Sequence, residues 1–101
     1  MGYTLSLHVR MTTVDRDWIN GLKDRESRAR IQVRVDRLAH GNPGRHRNLT
    51  GGVSELKIHC GPGYRVYYTV RAGELIVLLA GGDKSSQQQD IQLALELAEN
   101  L

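Results

Sequence analysis

Residues 53–86, VSELKIHCGPGYRVYYTVRAGELIVLLAGGDKSS, constrain the fold more than any other stretch of the chain. Leu56 and Ile58 alternate with Glu55, Lys57 and His59. Val66, Tyr68 and Val70 alternate in the same way with Arg65, Tyr67 and Thr69. A period of two belongs to strands whose two faces meet different surroundings. Leu75 to Ala80 is apolar on both faces and is expected to be the central, most buried strand. Gly61-Pro62-Gly63 and Ala72-Gly73 leave room only for tight turns, so the three strands form an antiparallel meander. The run Gly81-Gly82-Asp83-Lys84-Ser85-Ser86 then leads into a helix. There Ser85 or Ser86, followed three residues later by Gln88 or Gln89, resembles a capping box. Ile91, Ala94, Leu95, Ala98 and Leu101 supply that helix with an apolar stripe.

The N-terminal half has a different grain. Tyr3, Leu5, Leu7 and Val9 alternate with Thr4, Ser6 and His8, which predicts a strand that joins the edge of the sheet. Thr12, Thr13 or Asp15 is placed to cap a helix beginning near Val14, with Trp18 and Leu22 on one face. Asn20 and Gly21 weaken its continuation, and a break is expected between Lys23 and Glu26. Ile31, Val35 and Leu38 mark a second helix, which His40-Gly41-Asn42-Pro43-Gly44 ends. Residues 41–52 read as a polar, basic loop. The order is β-α-α-β-β-β-α, an α+β domain with a small antiparallel sheet, two N-terminal helices covering its apolar face, and a C-terminal helix.

A chain of 101 residues with 40% hydrophobic residues and no Phe supports one domain, 1–101, around a single modest core. Its start lacks a basic segment followed by a long apolar run, so no signal peptide is expected. Leu75–Ala80, the longest apolar run, is far shorter than the ~20 residues of a membrane span. One cysteine, Cys60, makes no internal disulfide, which fits a reducing cytoplasm. Charge is unevenly spread. Residues 1–50 carry ten Lys/Arg against five Asp/Glu, and residues 51–101 carry four against six. Eight of the ten lie between Lys23 and Arg47. Such a stripe either grips phosphates through guanidinium forks or is a solvated helix face laced with acids.

The strand alternation puts Lys57 and Arg65 on the face opposite Leu56, Ile58, Val66 and Tyr68, beside Glu55, His59 and Tyr67. With helices on the apolar face, this cationic face is expected to stay open. Lys84 lies at the entry to the last helix, where free N–H groups also favour an anion. The plain alternative is a set of cross-strand ion pairs on a surface sheet. No cofactor or metal is expected, because His40, His59 and Cys60 lack a usable ligand spacing and the Gly81-Gly82 run lacks the phosphate-loop spacing.

Five stretches carry a family resemblance: the W-I-x-x-L-K-D-x-x-x-x-x-R-I helix start, R-L-x-x-G-N-P-G, G-V-x-E-L-K-I, G-P-G-Y-R-V-Y-Y, and L-L-A-G-G-D-K-S-S-Q-Q-x-D-I. In this order, from Trp18 to Leu101, the chain resembles the RelE/HigB-like toxins of bacterial toxin–antitoxin modules, closest to the phage-derived addiction module killer proteins. The resemblance implies a cytoplasmic toxin that enters the ribosome and cuts mRNA, inhibiting translation. It also implies a cognate antitoxin, often with a helix-turn-helix fold, that covers the helices or displaces the last one.

By the same resemblance, Arg65 of the G-Y-R motif matches the family's strand arginine, Lys84 a basic residue after the last strand, and Lys57 a strand lysine. Glu55 stands where the best-known relative has another lysine, and that relative's catalytic tyrosine aligns near Asp90. Cleavage by the neighbouring 2′-hydroxyl needs a base, an acid and cations for the phosphorane charge. Arg65 and Lys84 suit the charge, while Glu55, His59, Tyr67 and Lys57 are the candidates for proton transfer. Arg45, Arg47, Lys57, Arg65 and Lys84 are the candidate RNA contacts. A catalytically weak or inactive RNA- or antitoxin-binding module on the same fold is the alternative.

Overall fold

The computed structural model describes residues 7–101. The expected alternation from Tyr3 to Ser6 lies outside them. Strand β1 spans His8–Met11, and helices α1 and α2 follow over Thr13–Gly21 and Arg25–Ala39. Strands β2 (His46–Asn48), β3 (Val53–Ile58), β4 (Tyr64–Arg71) and β5 (Leu75–Gly82) complete the sheet. A 3-10 turn over Lys84–Ser86 leads to helix α3, Gln87–Glu99. The α+β architecture, with two helices, a meander and a C-terminal helix, is the expected one.

The sheet has the order β1-β5-β4-β3-β2. Two features differ from expectation. The loop over residues 41–52 contains a short strand, β2, antiparallel to β3. The edge strand β1 runs parallel to β5, with His8 opposite Leu75 and Met11 opposite Leu78, so the sheet is mixed. The geometric centre is therefore β4, and β5, although buried on both faces, is its neighbour.

Local chemistry sets the helix ends. Thr12 ends β1 and caps α1: its side chain accepts from the Asp15 N–H at 3.1 Å and donates to the Leu79 carbonyl at 2.5 Å. Asp24 caps α2 by accepting from the Glu26 N–H at 3.0 Å and the Ser27 hydroxyl at 2.7 Å. The hydroxyl and its backbone bonds hold the Asp24 carboxyl below its ordinary pKa. The expected capping box of α3 does not form, because Ser86 makes no side-chain cap bond and donates instead to Asp90 Oδ2 at 2.6 Å. Asp83 caps the preceding 3-10 turn through the Ser85 N–H at 2.8 Å.

Both faces of the sheet are covered, so the interior has two layers rather than the single core expected. On one side Ile31, Val35 and Leu38 of α2 meet Leu56, Ile58, Val66, Tyr68, Ile76 and Leu78, with Trp18 of α1 packed alongside. On the other, Ala94 and Ala98 of α3 meet Val53, Tyr67, Val77, Leu79 and Ala80. Small residues on α3 let it lie close to the strands. A bulge makes β5 fit both layers. Tyr67 pairs with Ala80 and Tyr68 with Leu78, so Leu79 is an extra residue and the alternation changes phase there. Gly81 consequently meets α1, and a Cβ on it would lie 2.1 Å from the Trp18 ring. Gly82 meets α3, where a Cβ would lie 1.8 Å from Asp90 Oδ2. The glycine pair serves close approach from opposite sides of one strand. Among the described residues, no helix is long and apolar enough to cross a membrane.

Candidate nucleic-acid interface

Strand register brings most of the candidate residues together. Arg47 is opposite Glu55, Glu55 opposite Tyr67, and Tyr67 opposite Ala80, forming one row across the α3 side of the sheet. The next row on that side runs from Lys57 to Arg65 to Gly82. A cation row and a mixed row thus lie side by side. The expectation of an open face is corrected: α3 lies over the mixed row, and Glu55 and Tyr67 are both 0% exposed. The apolar stripe on α3, Ala94 and Ala98, needs the sheet's second side because α1 and α2 already occupy the first.

Glu55 organises the covered row. Its carboxylate lies 3.5 Å from an Arg47 Nη and 3.8 Å from Arg65 Nε, and it accepts from the Gln87 side-chain amide at 2.9 Å. An isolated ionised carboxylate this deep costs several kcal/mol, and two guanidinium neighbours and an amide offset it. The Arg65 side chain is 14% exposed, and its Nη1 donates to the Gly63 carbonyl at 2.8 Å. Tyr67 places its hydroxyl beside Glu55 without a well-formed hydrogen bond. Burial first, then the Glu55 charge, pushes that phenol's pKa far above its ordinary value, so it stays a neutral hydroxyl.

Towards the Gly61-Pro62-Gly63 turn the face is more open. Gly63 is flanked by Arg65 and Lys84, whose Nη1 and Cβ would lie 3.4 and 3.9 Å from a Cβ at that position. Lys84 is exposed at the start of the 3-10 turn. Asp83 beside it is held below the ordinary carboxyl pKa, chiefly by the Ser85 hydroxyl and N–H and with a smaller contribution from Arg65. Lys57 is half-buried, opposite Arg65. His59 and Arg45 are exposed and joined at 2.7 Å, with the guanidinium donating to Nε2.

The α2 stripe divides by role. Arg34 spends its guanidinium on the carbonyls of Lys57, Pro43 and Arg45, the last two at 2.9 and 2.8 Å. It clamps the segment before β2 onto β3 and so positions Arg45. Burial lowers its pKa from the ordinary arginine value. Arg30 makes an exposed pair with Glu26 at 3.1 Å, as in the solvated-face alternative.

The arrangement can bind a phosphate at the Lys57–Arg65–Lys84 end, with Arg45, Arg47 and His59 along the β2 edge. Sequence reasoning missed Gln87 and Arg34, and it named Ser86 only as a cap and Asp90 only as an aligned position, not as the bonded pair they form. Ser86 and Asp90 are four apart at a helix start, a spacing that signals side-chain pairing. Gln87 and Arg34 act on partners 32 and 23 positions away, which no local pattern shows.

Three comparisons place the chain. The model of the phage-derived protein Gp49-like family matches residues 17–100. An uncharacterised Haemophilus influenzae protein is 39% identical over 97 residues, covering 96% of this chain and 98% of its own. Among solved structures, a double Arg-to-Ala mutant of Escherichia coli toxin RelE in the free state is similar at TM-score 0.67 and 13% identity, covering 86% of this chain and 96% of that one. The toxin–antitoxin complex RelBE2 from Mycobacterium tuberculosis is similar at TM-score 0.52 and 21% identity, covering 84% and 99%. This chain belongs to the phage-derived Gp49-like family and has the fold of RelE.

Proposed function

We propose that the protein is the toxin of a toxin–antitoxin module, a ribosome-dependent endoribonuclease that cuts mRNA and is held inactive by a cognate antitoxin. The observation that carries this reading is the grouping of Lys57, Arg65 and Lys84 at one end of a RelE-like sheet. The 2′-hydroxyl attacks the adjacent phosphorus as its proton leaves to a base. The 5′-oxygen departs with a proton, leaving a 2′,3′-cyclic phosphate and a 5′-hydroxyl. Arg65 is the strongest candidate for the phosphorane charge, because Glu55 and the Gly63 carbonyl hold its guanidinium in place. Lys84 and Lys57 add point charges, and Arg45 and Arg47 extend the phosphate contacts along β2. For proton transfer His59 is the accessible candidate, whereas Glu55 and Tyr67 lie under α3. The ribosome supplies the remaining orientation. The antitoxin is a helix-turn-helix protein, and the setting is the cytoplasm.

Induction in bacteria is expected to arrest growth, and Arg65→Ala to relieve the arrest while remaining folded by circular dichroism. Losing one preorganised charge contact corresponds to a slowing of about 10²–10³. Normal growth on induction of soluble, folded wild-type protein would refute the reading. A second reading, an RNA- or antitoxin-binding module with weak or no cleavage, is favoured by one observation: an acid, Glu55, lies against both Arg47 and Arg65. Primer extension on mRNA after induction separates the two. New codon-registered 5′ ends support cleavage, and RNA binding without new ends supports the module.

A further inference from the structure

Opposite the Arg65 face, a cleft of about 250 Å³ opens between α1, α2 and the sheet. Its walls are mostly apolar, with Trp18, Ile31, Val35, Val66 and Leu78 among them. Asp15, Asn20, Arg28 and Gln32 are the polar lining residues, and of these only Asp15 is buried. Asp15 is only 2% exposed, and its Oδ1 has no hydrogen-bond partner. Its place in the first turn of α1 does not account for this. The reciprocal bond of a capping box would run from the Thr12 N–H to Asp15, but that N–H is taken by the Leu78 carbonyl at 3.0 Å. Arg28 lines the same cleft from α2 without forming an ion pair with Asp15.

An unpaired buried carboxylate and an indole lining one apolar cleft are complementary to one chemistry. The carboxylate attracts a cation, the indole ring favours an ammonium, and the apolar walls favour a hydrocarbon stem. We propose that this cleft binds a protonated primary amine on a short apolar chain, with Asp15 as the counter-ion and Trp18 as a wall. The site is independent of the nuclease reading, since the sheet separates it from Arg65.

Trp18 is the chain's only tryptophan, so its fluorescence reports on the cleft directly. Titration of the intact protein with n-butylammonium at pH 7.5 is expected to give a saturable change. n-Butanol, of the same shape but uncharged, should bind about tenfold more weakly or worse. Asp15→Asn removes a buried charge and should fold. It is expected to weaken n-butylammonium binding by about tenfold or more, leaving n-butanol unaffected. Burial raises the Asp15 pKa to about 6, so wild-type binding should fall about tenfold from pH 7.5 to pH 5 as the carboxyl takes up its proton. Equal binding of amine and alcohol, or equal amine binding by wild type and Asp15→Asn, overturns the proposal. So does an NMR titration placing the Asp15 pKa below 4, since Arg28 would then already be its partner. Tighter binding of Nα-acetyl-lysine methylamide than of n-butylammonium assigns the amine to a lysine on a polypeptide. The reverse order assigns it to a free alkylamine.

Discussion

Leu56 and Glu55 are neighbours in β3 and equally buried, each 0% exposed, yet they enter two different interiors. Leu56 points to the α1–α2 side, where contact is almost wholly between hydrocarbon groups. Glu55 points to the α3 side, where Ala94 and Ala98 pack at one end and a carboxylate, a phenol, an amide and a guanidinium meet at the other. The first layer owes its stability to burial and shape. The second depends on polar groups satisfying one another, and Glu55 Oε1, Arg65 Nε and Tyr67 Oη make no hydrogen bond there. One side is held by hydrocarbon contact, the other by hydrocarbon contact and a polar cluster together.

The sharpest way to break that contrast is to cut each side and compare. Leu56→Ala leaves a hole in the closed layer and is expected to lower unfolding free energy by about 2–5 kcal/mol in urea denaturation. A loss under about 1 kcal/mol would mean that layer is not the stabilising one. Next comes Asp15, the buried acid in the wall of the cleft on the α1–α2 side. Its carboxyl pKa is raised by burial to about 6 from 3.8. Its contribution is therefore fully present below about pH 3.8 and lost as pH rises through about 6. Asp15→Asn should accordingly be more stable than wild type above pH 6, by up to roughly 3 kcal/mol, and equal to it near pH 3. Equal stability at pH 7.5 would refute the penalty. The smallest effect belongs to the α3 side. Gln87→Ala removes the amide that ties the helix to Glu55 and should cost about 1 kcal/mol. Hydrogen exchange should quicken in α3 while β3 and β4 keep their protection. Uniform acceleration across the sheet would show that α3 is not a separate, more loosely held layer.

Much of the fold was legible in the chain because alternation and helical spacing are local. The strands from Val53 to Gly82, the break before Arg25 and the stripe Ile31, Val35, Leu38 all appear where the pattern puts them. β2 was not visible, since His46, Arg47 and Asn48 have no apolar side and owe their strand to pairing with β3. The site was legible as residue types on one face. Its covering was not, because the same alternation that aligns Glu55 with Lys57 says nothing of where α3 lies. Arg34 looked like one more surface cation, and only its three carbonyl partners separate it from the rest.

The parallel pairing of β1 with β5 has a consequence in time. Thr12 and Leu79, which close that edge, lie 67 positions apart. At ~5–20 residues per second a ribosome needs roughly 3–13 s to make what separates them. For that interval α1 and α2 have no β5 beneath them, and the segment carrying Arg65 has no finished sheet. The chain thus cannot act as a folded protein while most of it is still being synthesised. In limited proteolysis of ribosome-bound nascent chains, α1 should gain protection only after β5 has emerged.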